Sequence, residues 1–196
     1  HLNIYIYMKA KNCLIFGGSG QIGRHLMRKL TKNNYRVTVV TRNIHQKSYI
    51  IKTQGNAGYI DVVEANIFDE KKIRELFQNA EICINLIGIL FEKGRGNTFK
   101  NIHTLFPSIL SRLSKEYNLK KFIHISSLGI DQSKDSNYAL SKLNGEINIL
   151  KNDHPNIVEC VGPETINFKE ILLKLLNLID KKRILLPFPF PLANFS

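Results

Sequence analysis

Short apolar runs alternate along this chain with segments in which apolar residues recur every three or four positions. Such alternation predicts βαβ units and a parallel sheet. Asn12–Phe16 (NCLIF) reads as a buried first strand, and Gln21–Lys32 as a helix with Ile22, Leu26 and Leu30 on one face. Arg36–Thr41 and Tyr59–Glu64 read as the second and third strands, with Asp69 placed to cap the helix that follows. Glu81–Ile87 reads as the fourth strand and Lys121–Ser126 as the fifth. Between them, Thr98–Tyr117 predicts one long amphipathic helix, its stripe formed by Ile102, Phe106, Ile109 and Leu113. Asn137–Lys151 predicts a further helix.

The pattern changes after that helix. Lys151–Asn156 reads as a turn and Ile157–Val161 as one short strand. Asn167 and Glu170 form a capping-box pair ahead of a helix with Phe168, Ile171, Leu172, Leu175 and Ile179 along one side. The last stretch, RILLPFPFPLANF, contains three prolines that stop regular structure. It suits a docking segment or a tail packed on its own core. The expected organisation is an N-terminal extension over residues 1–10 with Met8 as the natural start, a dinucleotide-binding domain over 11–156, and a remnant C-terminal segment over 157–196.

Composition narrows the class. The 196 residues suit one α/β domain with a sizeable core, and apolar content is ordinary at 43%. No apolar run approaches the ~20 residues of a membrane span, and the apolar part of the N-terminus is too short to read as a convincing signal peptide. The net charge of +12 comes with lysines scattered along helix faces. No aromatic residues interleave with them, which argues against nucleic acid and leaves an anionic membrane or protein surface. Cys13, Cys83 and Cys160 lie in apolar runs without metal-ligand spacing. They are expected to be reduced, buried thiols, with no metal site.

The chemistry-bearing segment is FGGSGQIGRHL, which follows the first strand and opens the first helix. Gly17, Gly18, Gly20 and Gly23 permit a tight turn and a close approach of phosphate to backbone. With Ser19, Gln21 and Ile22 they form the expected pyrophosphate cradle at a helix N-terminus. The second strand ends in Thr41-Arg42 rather than in an acid. A guanidinium there suits a 2′-phosphate, which favours NADPH over NADH.

These glycines, the Asn85-Leu86-Ile87-Gly88 run and Tyr138-x-x-x-Lys142 together resemble the extended and atypical short-chain dehydrogenase/reductases, a family with a Rossmann-type doubly wound sheet. INLIGILFE, FKNIHTLFPSILSRLSKEYNLKKFIHIS, VGPETINFKEIL and LLPFPFPL are similar to the branch that includes the NADPH-binding accessory subunit of respiratory complex I and its bacterial relatives. The resemblance implies that Gly17, Gly20 and Gly23 line the pyrophosphate and that Arg42 meets the adenosine phosphate. It implies that the Asn66-Ile67-Phe68-Asp69 turn meets adenine, with only Asp69 matching the usual acids. Leu86–Gly88 would run past the adenine side, and Tyr138 and Lys142 would lie near the nicotinamide ribose. The family continues after the Tyr/Lys helix with a sixth strand and a substrate region. Here that region is shortened by several dozen residues, through a deletion, a fusion or an incomplete chain.

Tyr138 and Lys142 are spaced i, i+4 and share one helix face. With Ser126 or Ser127 they make the set from which an active enzyme of this kind draws its general acid or base. Two functions follow. One is a non-catalytic, NADPH-holding subunit of complex I, in the cytoplasm or mitochondrial matrix and peripheral to the inner membrane. The other is a stand-alone NAD(P)H-dependent reductase, epimerase or dehydratase. His25, His103, His124, His154 and Arg95 are given no functional role, and His124 is expected to be a satisfied sheet residue.

Overall fold

A computed structural model describes residues 10–133, 135–152, 168–178 and 180. Five strands form one parallel sheet: β1 (Lys11–Phe16), β2 (Tyr35–Thr41), β3 (Ile60–Glu64), β4 (Ile82–Asn85) and β5 (Lys121–His124). Their spatial order is β3-β2-β1-β4-β5. The order reverses direction between β1 and β4, and in open parallel sheets ligands bind in the crevice beyond the strand ends at that point. This is the expected Rossmann-type architecture.

Alternation along β1 divides its residues between two cores. Cys13 and Ile15 pack with Val37, Val39, Met27 and Ile51 on the side of α1 (Gln21–Lys32) and α2 (Ile44–Lys52). Leu14 and Phe16 pack with Ile73, Phe77, Phe106, Leu110 and Leu113 on the side of α3 (Glu70–Phe77) and α4 (Phe106–Glu116). Both strand faces are covered, so the strands read as continuous apolar runs. The described thiols, Cys13 and Cys83, are free and buried, and burial pushes Cys13 up to about 12.

Four features depart from the sequence reading. Ile22 is not on the buried stripe of α1: it is 58% exposed, and the helix buries Gly23, Met27 and Thr31 instead. β4 stops at Asn85, because the Asn85 Oδ1 accepts the Ile87 N–H at 3.1 Å and turns the chain out of the sheet. The long helix is not uniform. It begins as a π-helical turn, Lys100–Leu105, and only then becomes α4. The α2 helix was not visible in the periodicity, since Ile51 is its one fully buried residue; Asn43 caps it by accepting the Gln46 N–H at 3.1 Å.

The helix α5 (Asn137–Leu150) packs against the π-helical turn and α4. Residues 1–156 and 157–196 are two compact units. In the second unit α6 (Phe168–Leu178) leaves Ile171, Leu173, Leu175 and Leu178 exposed. The expected strand at 157–161, the Asn167 cap and the Pro/Phe tail lie outside the described residues.

Candidate functional site

The glycine turn sits at the crevice between β1 and β4. Gly17 has φ +83°, and a Cβ there would lie 2.9 Å from the Leu86 carbonyl carbon. Both the backbone conformation and the approach of the β4 exit therefore demand glycine. A Cβ on Gly23 would lie 2.5 Å from the Gly18 oxygen, so the first turn of α1 packs directly on the turn before it. The Gly20 N–H donates to the Gly17 oxygen at 3.1 Å, and the Arg24 N–H to the Gly20 oxygen at 3.0 Å. Asn43, Asp69 and Ser136 cap α2, α3 and α5 with side-chain oxygens, whereas no side chain caps α1 and its first turn holds no acid. An uncapped N-terminus with positive dipole is suited to a phosphate. Gln21 and Ile22 are exposed on its rim, and Ser19 is half-buried.

Leu86–Gly88 links this turn to the second cluster. A Cβ on Gly88 would lie 3.7 Å from Lys142 Nζ, while Leu86 lies against Gly17. The Tyr138 hydroxyl and Ser127 Oγ are hydrogen-bonded at 3.0 Å. Ser126 is not part of this pair: its Oγ is buried without a hydrogen-bond partner. Lys142 is only 5% exposed, with Nζ 5.9 Å from the Tyr138 ring centre and donating to the Ile125 oxygen at 3.4 Å. Burial lowers its pKa, opposed by the Glu146 carboxylate. The trio has the composition of a proton-transfer site, with a buried ammonium beside a phenol.

His103 is the residue that sequence reasoning missed. Its Nε2 accepts the Ile89 N–H at 3.0 Å, so its Nδ1 carries the proton and donates to Ser141 Oγ at 2.9 Å. Ser141 Oγ in turn donates to the Tyr138 carbonyl at 2.7 Å. The imidazole meets the Tyr138 ring edge-on at 5.2 Å and stacks on Phe99 at 5.5 Å. Burial, and then the charge of Lys142, pushes His103 down to about 4, so it is neutral at physiological pH. Its polar position within an apolar repeat was the available signal. His124 is only half satisfied, contrary to expectation. Its Nδ1 lies 3.1 Å from Asn85 Nδ2, while its Nε2 is buried without a partner.

At the other end of the crevice is a cleft of about 550 Å³ lined by Arg42, Glu64, Asn66, Ile67, Phe68 and the 93–97 loop. Arg42 Nη1 donates to Asn97 Oδ1 at 2.9 Å. Asn66 Oδ1 accepts the Phe68 N–H at 3.0 Å and shapes the turn. The Asp69 carboxylate accepts the Lys72 N–H at 3.1 Å as the cap of α3, and Asp69 does not line the cleft. Among the described residues no cluster of histidine, cysteine or acid residues is arranged to hold a metal.

A doubly wound parallel sheet, a glycine turn opening an uncapped helix, and a Tyr/Lys pair beside the fourth-strand exit define a dinucleotide-binding protein of the Rossmann type. Residues 13–149 match the model of the NAD dependent epimerase/dehydratase family, and the chain belongs to that family. Over 151 residues it is 24% identical to the mitochondrial NADH-ubiquinone oxidoreductase 40 kDa subunit of Neurospora crassa, covering 77% of this chain and 37% of that protein. It is 30% identical over 132 residues to NADH dehydrogenase [ubiquinone] 1 alpha subcomplex subunit 9 of Dictyostelium discoideum, covering 67% and 36%. The chain thus spans little more than a third of these relatives. Its fold is also that of the UDP-glucuronic acid 4-epimerase from Bacillus cereus in complex with NAD, at a TM-score of 0.59 and 22% identity over 74% of this chain and 53% of that one.

Proposed function

We propose that this chain holds NADPH without turning it over, as an accessory subunit of complex I. The observation that carries cofactor binding is the uncapped N-terminus of α1, closed by glycines against the Leu86–Gly88 strand exit. Its open N–H groups suit a pyrophosphate, and Arg42 at the end of β2 suits an adenosine phosphate. On this reading Asn66, Ile67 and Phe68 flank adenine, and Tyr138 and Lys142 hydrogen-bond the nicotinamide ribose. The names of the relatives support the complex I assignment. The compartment would be the mitochondrial matrix, or the cytoplasm of a bacterium, peripheral to the inner membrane. No described helix is long and apolar enough to cross a membrane.

When bound, the nicotinamide supplies a hydride donor or acceptor. The 3.0 Å bond between Ser127 and Tyr138 favours a second reading as a reductase, epimerase or dehydratase. In that case Ser127 orients the phenol, Lys142 favours the phenolate by its charge, and Tyr138 moves the proton.

The deciding experiment is the nucleotide content of the purified protein, released by denaturation and identified by mass, together with Tyr138→Phe. One NADPH per chain retained through dialysis, in wild type and variant alike, supports the holding role. Freely exchanging cofactor, with a turnover lost in Tyr138→Phe, supports the enzyme. Folded protein without affinity for either nicotinamide overturns both.

A further inference from the structure

We infer that the Lys93–Asn97 hairpin is the second wall of a 2′-phosphate subsite, with Arg95 and Lys93 selecting NADPH over NADH; this rests on the nicotinamide-binding reading above. The segment forms a closed hairpin. The Lys93 N–H donates to the Asn97 oxygen at 3.0 Å, and the two residues pair as an antiparallel bridge. Gly94 turns the tip at φ +68°, a conformation that suits glycine. The base is held from the other side: the Glu92 carboxylate accepts the Phe99 N–H at 2.6 Å, and Asn101 Nδ2 donates to the Gly96 oxygen at 3.2 Å.

The hairpin is also tied across the crevice. Asn97 Oδ1 takes one Arg42 N–H, which bridges the end of β2 to a loop 55 residues further along the chain. That bond orients the guanidinium and leaves its other donors available. The resulting cleft is lined by Arg42, Lys93 and Arg95 against a single carboxylate, Glu64. A ribose with two free hydroxyls is recognised by an acid at the end of β2, and this sequence has Thr41, Arg42 and Asn43 there. Three cations lining one cleft match a doubly charged phosphate instead. Lys93 and Arg95 are themselves exposed, so they can close on a ligand without unpacking the core.

The test is a fluorescence titration of the full chain with NADPH and with NADH, for wild type and for the Lys93→Ala/Arg95→Ala double variant. Loss of charge-assisted bonds to phosphate is expected to weaken NADPH about tenfold or more, with NADH unchanged within about twofold. Arg95→Glu, at an exposed position, guards against misfolding of the double variant and is expected to weaken NADPH selectively as well. An unchanged ratio of the two affinities, or an equal loss for both nucleotides, overturns the hairpin's role while wild-type binding stands. Wild-type protein that binds neither nucleotide overturns the underlying reading instead.

Discussion

Gly145→Ala tests how α5 presents Tyr138 and Lys142. Gly145 lies on the same helix face as those residues, and a Cβ there would lie 2.0 Å from the His103 carbonyl oxygen. Ordinary contact begins near 3.4 Å, so α5 and the π-helical turn would have to separate by about 1.4 Å. The bonds at that junction, Thr104 to the Ser141 oxygen at 2.8 Å and His103 to Ser141 at 2.9 Å, would then stretch beyond hydrogen-bond range. Overpacking costs about 1–3 kcal/mol, and the two lost bonds about 1 kcal/mol each. Alanine returns about 1 kcal/mol of helix propensity. The net expectation is a loss of about 2–4 kcal/mol, a fall of roughly 5–10 °C in Tm for a chain of this size. Urea unfolding followed by circular dichroism measures it, and nucleotide titration should show weaker binding in parallel. A variant as stable as wild type, or more stable, would refute the reasoning, because propensity alone would then govern the position.

Gly17→Ala should abolish nucleotide binding, because the left-handed backbone and the 2.9 Å approach to Leu86 both exclude a Cβ; calorimetric titration checks it. Asn85→Ala removes the partner of the Ile87 N–H and of His124 in a fully buried position. It should cost about 2–3 kcal/mol in urea unfolding. His103 and His124 are both held near 4 in the fold, against an ordinary value of 6.5. Between those values the unfolded chain binds more protons, so stability is full above about 6.5 and falls as pH drops, by up to about 1.36 kcal/mol per unit for each histidine. Glu70 and Glu81, held low by Arg112 and Lys120, act below their ordinary 4.5 and leave the window between pH 5 and 6.5 to the histidines. His103→Gln should reduce the slope in that window, and an unchanged slope would place the proton uptake elsewhere.

The parallel sheet was legible because both of its faces are buried, which leaves unbroken apolar runs such as NCLIF. The glycine turn was legible because a strand precedes it and a helix follows. Ser127 and Ser126 could not be separated from sequence. Adjacent residues leave a strand end in opposite directions, and only the position of α5 decides which one meets Tyr138. The hairpin carries its recognition in exposed charges, which periodicity does not register. His103 was hidden by the assumption of one regular helix over Thr98–Tyr117.

That irregularity has a wider meaning. In a regular helix each residue advances the direction of its side chain by about 100°. A π-helical turn accommodates one residue more than an α-turn, so it resets the phase of everything after it. Lys100–Leu105 thereby lets the His103 ring address α5 while Leu110 and Leu113, further along, face the sheet. Deleting a single residue there would restore a uniform helix and rotate one of those two surfaces out of register. The turn acts as a fixed angular offset between the layer that builds the core and the layer that carries Tyr138 and Lys142.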